Sequence, residues 1–357
     1  MDAHGVPRKL HTFALGVCML LVALAAFPSR AAHLEFVTEV DGTITDVTPQ
    51  RILFFVVEGD RPVLKVHNRV TGSLRVVPDR TGHTPGYEKL TARGVVYGIT
   101  EDDENSVYEW NGGNTPLWND GTPRGMRVSP NNKRYIIWPT WRPGRYLNLR
   151  DVTLYTDTLI GNGKVADLAD VADTGEVVFT AGPAPYNVFR YRAGQTVQLT
   201  HDTQWSHFNP LTDGINVVYR KQVSDTASRI VMFNDSLGEV VLREASETNF
   251  TPRGDYFPSG GWIAFTRINM ANGNATRQVW LRSPAGQTTA ISPAGADASI
   301  LAIASGQVMF VSEGYLYLGR PGMAPALVLP FAEGTGSAWL QGSWYVYFGG
   351  GLYRVVP

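Results

Sequence analysis

The chain has 357 residues and a formal net charge of −1, from 31 Lys and Arg against 32 Asp and Glu. This balance favours neither nucleic acid nor an acidic membrane surface as a partner. The 37 glycines, 22 prolines and 11% aromatic residues combine turn formers with strand formers. Runs of Ala, Glu, Lys and Leu that favour helices are scarce, so we expect an all-β protein.

Residues 1–32 have the features of a secretory signal peptide. Arg8 and Lys9 form a basic start, an apolar stretch occupies residues 13–27, and small residues end the segment. We therefore expect a mature chain of residues 33–357 in the periplasm or outside the cell. A retained membrane anchor is the alternative, although the apolar stretch is shorter than the ~20 residues that span a bilayer.

A unit of strands and loops repeats along the rest of the chain. Eight runs rich in Val, Ile and aromatic residues begin at Arg51, Gly94, Arg134, Glu176, Asn216, Trp262, Gln307 and Trp344. Their spacing of 37 to 46 residues, without a helical stretch, is typical of the four-stranded blades of a β-propeller. We predict one β-propeller domain of eight blades. Seven blades are the alternative, because the copy around residues 153–160 divides poorly into strands.

Each repeat divides into an inner strand, two middle strands and a half-exposed outer strand. In the clearest copy these strands are predicted at residues 206–209, 216–220, 228–234 and 239–243. Turns that contain Gly separate the third strand from the outer strand in several copies, at residues 69–72, 192–194, 235–238 and 283–286. Glycine is suited to these turns because it tolerates a positive φ.

The two ends of the chain complement each other. Residues 34–40 form a spare alternating strand at the mature start, whereas the last repeat ends at residues 352–356 without an outer strand. Pairing of these two segments would close the ring and remove two open sheet edges. We predict closure of the propeller by the N-terminal strand.

Two segments carry a recognisable turn motif. Residues 129–138 (Ser-Pro-Asn-Asn-Lys-Arg-Tyr-Ile-Ile-Trp) and 209–219 (Asn-Pro-Leu-Thr-Asp-Gly-Ile-Asn-Val-Val-Tyr) resemble the Ser-Pro-Asp-Gly-Lys repeat of TolB-like propellers, also called the WD40-like or PD40 repeat. Residues 258–265 are a looser copy. The resemblance implies a propeller in which this motif is the turn between the inner and second strands. It also implies a binding platform in the periplasm or at the cell surface.

The outer-to-inner connections and the second-to-third hairpins of a propeller emerge on one face, where ligands and partners bind. The richest of these connections is residues 201–209, which contains two histidines, an aspartate and a tryptophan. Arginine or lysine on this face would pair with the carboxylates of an acidic glycan, and aromatic rings would stack on its sugars. The candidate ligand-binding residues are Trp141, Arg142, Arg145, Tyr186, Trp205, Arg220 and Lys221.

The same face offers groups for β-elimination, which requires a base beside a neutralised carboxylate. His201 or His207 is the candidate base and Tyr146 the candidate acid, and propeller-fold oligogalacturonate and ulvan lyases resemble this arrangement in fold. No motif carries their catalytic residues over, and nucleophile and nucleotide signatures are missing, so no catalytic residue is assigned. Alternatively, Trp205 packs between blades and the histidines hydrogen-bond neighbouring strands.

Metal sites have little support in the sequence. Asp102 and Asp103 lie in the acidic run 101–105 and could bind calcium through carboxylate oxygens, but the run lacks the spacing of a calcium loop. A solvated charged hairpin tip is the expected interpretation. His201, Asp202 and His207 likewise lack a tight ligand spacing, and we expect neither a metal nor a cofactor.

Together these features predict a secreted or periplasmic, non-enzymatic propeller that binds a protein or an envelope glycan through its loop face. A polysaccharide lyase or other carbohydrate-active enzyme acting on acidic glycans is one alternative. A structural module of a surface assembly is the other. We expect a monomer with no nucleic-acid partner and no membrane span in the mature chain.

Overall fold

The computed structural model describes residues 32–59, 61–78, 87–101, 104–118, 125–140, 144–161, 165–246, 255–271, 274–332 and 334–357. Most of the predicted signal peptide lies outside the described residues, as do Asp102, Asp103, Trp141 and Arg142. Within the described ranges, no helix is long and apolar enough to cross a membrane.

The described residues form 32 strands. In chain order they are β1 (His33–Glu39), β2 (Thr43–Val47), β3 (Arg51–Glu58), β4 (Arg61–Asn68), β5 (Leu74–Val76), β6 (Lys89–Leu90), β7 (Val95–Glu101), β8 (Glu104–Trp110), β9 (Asn114–Trp118), β10 (Arg127–Val128), β11 (Tyr135–Thr140), β12 (Tyr146–Asp151), β13 (Thr156–Ile160), β14 (Val165–Val171), β15 (Val177–Ala181), β16 (Asn187–Arg192), β17 (Gln195–Gln198), β18 (His207–Thr212), β19 (Asn216–Gln222), β20 (Ser228–Asn234), β21 (Gly238–Ser246), β22 (Tyr256–Ser259), β23 (Trp262–Ala271), β24 (Asn274–Arg282), β25 (Thr288–Ala290), β26 (Ala298–Ala304), β27 (Gln307–Ser312), β28 (Tyr315–Gly319), β29 (Ala326–Pro330), β30 (Gly336–Leu340), β31 (Ser343–Phe348) and β32 (Gly351–Val356).

These strands make eight antiparallel sheets of four strands each, which confirms the eight-bladed β-propeller. Blades 1 to 7 each use four consecutive strands, from β2–β5 in blade 1 to β26–β29 in blade 7. The copy that divided poorly in the sequence is the outer half of blade 3, where β12 pairs with β13 in regular register. The seven-bladed alternative is therefore wrong.

Blade 8 is built from both ends of the chain, as predicted. Its strands lie in the order β1-β32-β31-β30, with His33 opposite Val356 and Glu39 opposite Gly351. The backbone N–H of Ala32 also donates to the carbonyl of Leu327 in blade 7, at 2.7 Å. The N-terminal strand thus covers the edge of β32 and closes the ring.

The apolar runs of the sequence are the second strands of the blades, and they are buried on both faces. In blade 4, every residue of β15 is buried. Val177 and Phe179 pack towards blade 3, whereas Val178 packs towards blade 5. Successive strand residues point to opposite faces, so a strand sandwiched between two blades needs an unbroken apolar run.

The core lies between the blades. Each of the eight clusters of buried apolar residues in the described chain joins one pair of neighbouring blades. Between blades 1 and 2, for example, Leu53 packs with Tyr97 and Trp110. Because every blade shares its core with two neighbours, the ring is stabilised by contacts all the way round.

Strand lengths differ from the prediction in three strands of blade 5. Strand β20 has the predicted bounds, but β18, β19 and β21 extend beyond residues 206–209, 216–220 and 239–243. A bulge interrupts the register between Phe208 and Leu211, and Asn209 adopts a φ of 51°. The inner strand therefore continues past the bulge, which a simple alternation does not predict.

The TolB-like motif occupies the turn between inner and second strands, as the resemblance implies. Gly214 in the blade 5 copy has a φ of +84°, and a Cβ there would lie 2.8 Å from Oγ1 of Thr174 in blade 4. Both the backbone conformation and the close approach of the neighbouring blade require glycine at this position.

Candidate functional site on the loop face of blades 4 and 5

Blades 4 and 5 together form the part of the loop face that contains most of the predicted site residues. The connection 199–206 from β17 to β18 lies between the second-to-third hairpins of blades 4 and 5. The N–H of His207 donates to the carbonyl of Tyr186 at 2.9 Å, and the N–H of Gln222 donates to the carbonyl of Ser206 at 3.0 Å. The predicted connection is therefore bonded to the hairpins on both sides of it.

Asp202 shapes this connection. Its Oδ1 accepts hydrogen bonds from the N–H groups of Gln204 at 2.9 Å and Trp205 at 3.0 Å, as in an Asx turn. The Asn187 side chain accepts from the N–H of Asp202 at 3.0 Å and donates to its carbonyl at 3.1 Å. The bond from Gln204 is the largest contribution to lowering the pKa of Asp202, so this carboxylate serves the loop as an ionised acceptor.

His207 is fully buried beneath the connection, with 0% of its surface exposed. Its Nδ1 lies 3.1 Å from the carbonyl oxygen of Tyr186, and since a carbonyl only accepts, Nδ1 must donate. Its Nε2 is buried and has no hydrogen-bond partner among the described residues. The ring meets Tyr219 edge-on at 5.5 Å, and burial lowers the pKa of His207. The histidine is therefore a neutral packing group in this conformation.

Lys221 lies on the same side of β19 as Tyr219. Its Nζ is 3.6 Å from Asp202 Oδ2 and 3.5 Å from Glu239 Oε2, and the hydroxyl of Tyr219 donates to the other oxygen of Glu239. Burial raises the pKa of Tyr219, so its hydroxyl keeps its proton as a donor. The charge of Lys221 is thus already balanced by two carboxylates.

Arg220 lies on the opposite side of β19 and faces blade 6. Its guanidinium stacks over the ring of Phe208 at 4.8 Å, and Tyr186 meets the same ring edge-on at 6.4 Å. The hydroxyl of Tyr256, in blade 6, donates to the carbonyl of Asn209 at 2.7 Å. The two cations predicted in one group are therefore separated by the pleat of the strand.

The other predicted residues are placed less centrally. His201 and Arg145 are exposed, and Tyr146 is half-buried at the start of β12 in blade 3. Among the described residues, no hydrogen bond joins Tyr146 to His207. Within the same ranges, no group of three or more His, Cys, Asp and Glu side chains is arranged to hold a metal ion.

A buried polar cluster near this face was missed by the sequence analysis. Nη1 of Arg243 donates to Oγ1 of Thr266 at 3.0 Å, and that hydroxyl donates to Oδ1 of Asp255 at 2.8 Å. Arg243 and Asp255 also form an ion pair at 3.8 Å. Burial lowers the pKa of Arg243 to about 10 and raises that of Asp255. The sequence pattern does not reveal this cluster. Arg243 lies in the outer strand β21, where a charged side chain is expected to be exposed to solvent.

No protein-family model matches the sequence, and no curated protein matches it by sequence. Solved structures do share its fold. A prolyl endopeptidase structure has 12% identity and a TM-score of 0.51, and the match covers 91% of this chain and 56% of that chain. This chain therefore spans little more than half of the enzyme that it matches.

Two further structures are similar over most of the propeller. TolB from Acinetobacter baumannii has 10% identity and a TM-score of 0.36, with 80% of each chain covered. An oligogalacturonate lyase from Vibrio parahaemolyticus has 12% identity and a TM-score of 0.47, covering 89% of this chain and 99% of that chain. Likenesses at these levels carry no argument about activity. The chain is an eight-bladed β-propeller, consistent with the TolB-like resemblance of its turns.

Proposed function

We propose that this protein is an exported, non-enzymatic propeller that binds another protein through the loop face of blades 4 and 5. The observation that carries the proposal is the set of half-buried side chains Tyr186, Trp205 and Lys221, which two blades hold in fixed positions. Rigid, partly exposed aromatic residues beside a charged side chain are typical anchors of protein interfaces.

A binding role fits the chemistry of this face better than a catalytic one. The buried ring of His207 offers no atom to a substrate. The carboxylate of Asp202 is occupied by two backbone N–H groups and Lys221. Two of the groups that could move a proton, His207 and Asp202, are therefore engaged in holding the loop, whereas a general base needs a free atom within reach of its substrate.

A protein partner is also favoured over an acidic glycan. A uronate would need an unopposed cation, but Lys221 lies between Asp202 and Glu239. Arg220 faces blade 6, where its guanidinium is stacked on Phe208, and is therefore not aimed at the same position. Aromatic rings with balanced charges suit a protein surface, where complementary pairs set orientation.

Export rests on the pattern of residues 1–32, a basic start followed by an apolar stretch and small residues. Strand β1 begins at His33, so cleavage near Ala32 or His33 would leave every described strand of the propeller intact. Sequencing the N-terminus of the protein recovered from the envelope or medium tests this part. A terminus near Ala32 or His33 is expected, and a protein that retains Met1 in the cytoplasm would overturn it.

The binding proposal is tested by affinity capture from envelope extract with tagged residues 33–357. Wild-type protein is compared with the double variant Trp205→Ala, Lys221→Glu. Leu237→Ala is the matched control, because Leu237 is 60% exposed in the turn at the other end of blade 5. Captured proteins are identified, and their affinities are then measured with purified components.

A partner that binds wild-type and the control but not the double variant is the expected result. A partner retained by all three would place the interface elsewhere. Capture of polysaccharide alone, or an unsaturated-uronate absorbance on incubation with polygalacturonate, would favour the glycan or lyase alternative. Concentration-dependent self-association without any partner would favour the structural module.

A further inference from the structure

A cavity of about 210 Å³ lies between blades 1 and 2, at the end of the propeller opposite the loop face. Its walls are the β4–β5 hairpin of blade 1, the β6–β7 turn of blade 2 and the start of the β8–β9 hairpin. Three of its lining residues are arginines, Arg51, Arg75 and Arg93, and none is acidic. Its floor is apolar and includes Val66, Val95 and Trp110.

The three guanidinium groups make no ion pair with a described carboxylate. Asp46 acts electrostatically on Arg51, but it is already held by Lys133 at 3.3 Å. Glu109 acts on Arg93, but it accepts a bond from another arginine at 2.9 Å. Positive charge in the cavity is therefore left without a lining counterion, which leaves room for an anionic ligand.

Two of the arginines are held in place before any ligand binds. Arg51 donates to the carbonyls of Thr91 and, at 3.3 Å, Gly94 in the neighbouring blade. Arg93 donates to the carbonyl of Thr153 at 3.3 Å and stacks over the ring of Tyr155 at 4.4 Å. Ordering of long side chains is a main cost of binding, so these contacts lower that cost.

Further hydrogen bonds fix the positions of residues at the rim of the cavity. The side chain of Asn111 donates to the hydroxyl of Tyr155 at 3.0 Å. Oδ1 of Asn68 accepts from the N–H groups of Val70 and Thr71 at 2.9 and 3.1 Å. Burial lowers the pKa of Arg51 despite the opposing effect of Asp46, so an anion would relieve a poorly solvated charge.

From this geometry we propose that the cavity between blades 1 and 2 binds a sugar-sized organic oxyanion. Arginine recognises carboxylate and phosphate oxygens through two parallel N–H bonds. The cavity is several times larger than the ~30 Å³ occupied by a water molecule, so the ligand carries more than the acidic group. The apolar floor would contact the ring face of a sugar.

The site is independent of the protein interface proposed above, because it uses other blades and the opposite end of the ring. Galacturonate supplies the carboxylate form of the ligand and glucose 6-phosphate the phosphate form. Glucose is the neutral probe, and inorganic phosphate is the probe without a sugar. Binding is measured by titration calorimetry on residues 33–357 at low and high salt.

We expect one or both acidic sugars to bind, and glucose to bind at least ~10-fold more weakly, as the loss of charge-assisted hydrogen bonds implies. Arg75→Ala should weaken binding by ~10-fold without changing Tm, because Arg75 is exposed and makes no hydrogen bond with a described residue. Arg93→Ala should weaken binding by a similar factor, but it should also lower the Tm, because it removes the hydrogen bond to Thr153 and the stacking on Tyr155. Affinity should fall at high salt, which screens exposed charges.

The matched control is Arg61→Ala, which removes the same charge from blade 1 at its loop-face end. It should leave the affinity unchanged. Equal binding of glucose and the acidic sugars, unchanged affinity in both cavity variants, or no binding at 10 mM ligand and low salt (roughly the weak end of specific affinities) would overturn the proposal. Inorganic phosphate binding as tightly as glucose 6-phosphate would overturn the role of the apolar floor.

Discussion

Oδ2 of Asp213 in blade 5 accepts a hydrogen bond of 2.7 Å from the backbone N–H of Gly261 in blade 6. Oδ1 of the same carboxylate accepts from the N–H groups of Ile215 at 2.9 Å and Asn216 at 2.7 Å. One side chain thus shapes the inner-to-second turn of its own blade and joins it to the next.

The same kind of link recurs between blades 3 and 4. Oδ1 of Asp173 accepts from the N–H groups of Asn131 and Asn132, both at 3.0 Å. These bonds show how the turns between inner and second strands join neighbouring blades. Asp213 in the blade 5 copy and Asp173 in the corresponding turn of blade 4 satisfy backbone donors of a neighbouring blade at the seam between two blades.

Asp213→Ala should destabilise the propeller by about 1–3 kcal/mol, because three N–H groups lose a charged acceptor. The measurement is the free energy of unfolding in urea, with an unchanged m-value as the sign of an unchanged unfolded state. Asp235→Ala is the matched control. Asp235 is exposed and pairs with Arg190 and Arg192 at the surface, so its loss should cost less than about 1 kcal/mol. Equal losses in the two variants would contradict the prediction.

The sequence predicted the architecture because burial on both faces leaves a strong signal. Runs such as Val177–Ala181 cannot alternate when each neighbouring blade needs an apolar face. The ends of strands were harder to predict. Strand β23 continues to Ala271, beyond the looser motif copy at residues 258–265, because backbone hydrogen bonds extend the ladder whatever the side chains are.

The candidate site was predictable only in part. The connection 201–209 does meet the hairpins of blades 4 and 5, as its position in the repeat implied. Arg220 and Lys221 were grouped because they are adjacent, yet adjacency in a strand sends them to opposite blades. Arg51 and Arg93 come together only through the packing of two blades, and no spacing rule in the sequence marks such a meeting.

Removal of β1 should open the ring. A chain that begins at Asp41 loses the strand that pairs with β32, and it exposes the unpaired edge of blade 8. We expect the Tm to fall by about 10 °C or more, as the loss of several kcal/mol implies for a protein of this size. Differential scanning calorimetry measures this change.

A peptide of residues 33–40 provides the control for the truncation. Added in excess, it should occupy the edge of β32 and raise the Tm in proportion to the logarithm of its concentration. A peptide in which Leu34 and Val37 are both replaced by Asp should fail, because these two side chains pack into the cores on either side of blade 8. A truncated chain that melts like wild-type would refute the closure.

Asp170 should make the protein less stable as the pH rises from about 4 to 6. Burial raises its pKa to about 6, against the opposing hydrogen bond from the N–H of Thr212 at 2.9 Å. In this window the folded protein keeps a proton that the unfolded chain, with its ordinary pKa near 3.9, has lost. Asp170→Asn should remove that slope and leave the protein at least as stable as wild-type at pH 7. Unfolding free energies at pH 4.5, 6 and 7.5 test this.

Asp46→Asn is the matched control for that experiment. Asp46 accepts from the N–H of Leu90 at 2.9 Å, as Asp170 does from Thr212, but it also has the ammonium of Lys133 at 3.3 Å. Removal of its charge leaves a half-buried cation without this partner and should therefore lower stability at pH 7. If both variants shift stability in the same direction, the difference between the two sites is not electrostatic.

His207 should act in the opposite direction to Asp170. Burial lowers its pKa, so below about pH 6.5 the imidazole is protonated in the unfolded chain while it is still neutral in the folded protein. Its contribution to stability is therefore present at pH 7 and lost as the pH falls through that value. His207→Asn keeps a donor near the position of Nδ1 but removes the titrating ring. It should cost about 1–3 kcal/mol at pH 7 through the cavity it leaves and flatten the fall in stability towards pH 5.

His201→Asn separates burial from the mere presence of histidine, because His201 is exposed on the same connection. Because its side chain is exposed, this substitution should leave the free energy of unfolding at pH 7 unchanged. If instead His207→Asn keeps the wild-type slope, His207 is accessible to protons in the folded protein and its buried, neutral state is refuted. Such a result would support His207 as a candidate catalytic base, because solvent access would also expose its Nε2 to a substrate.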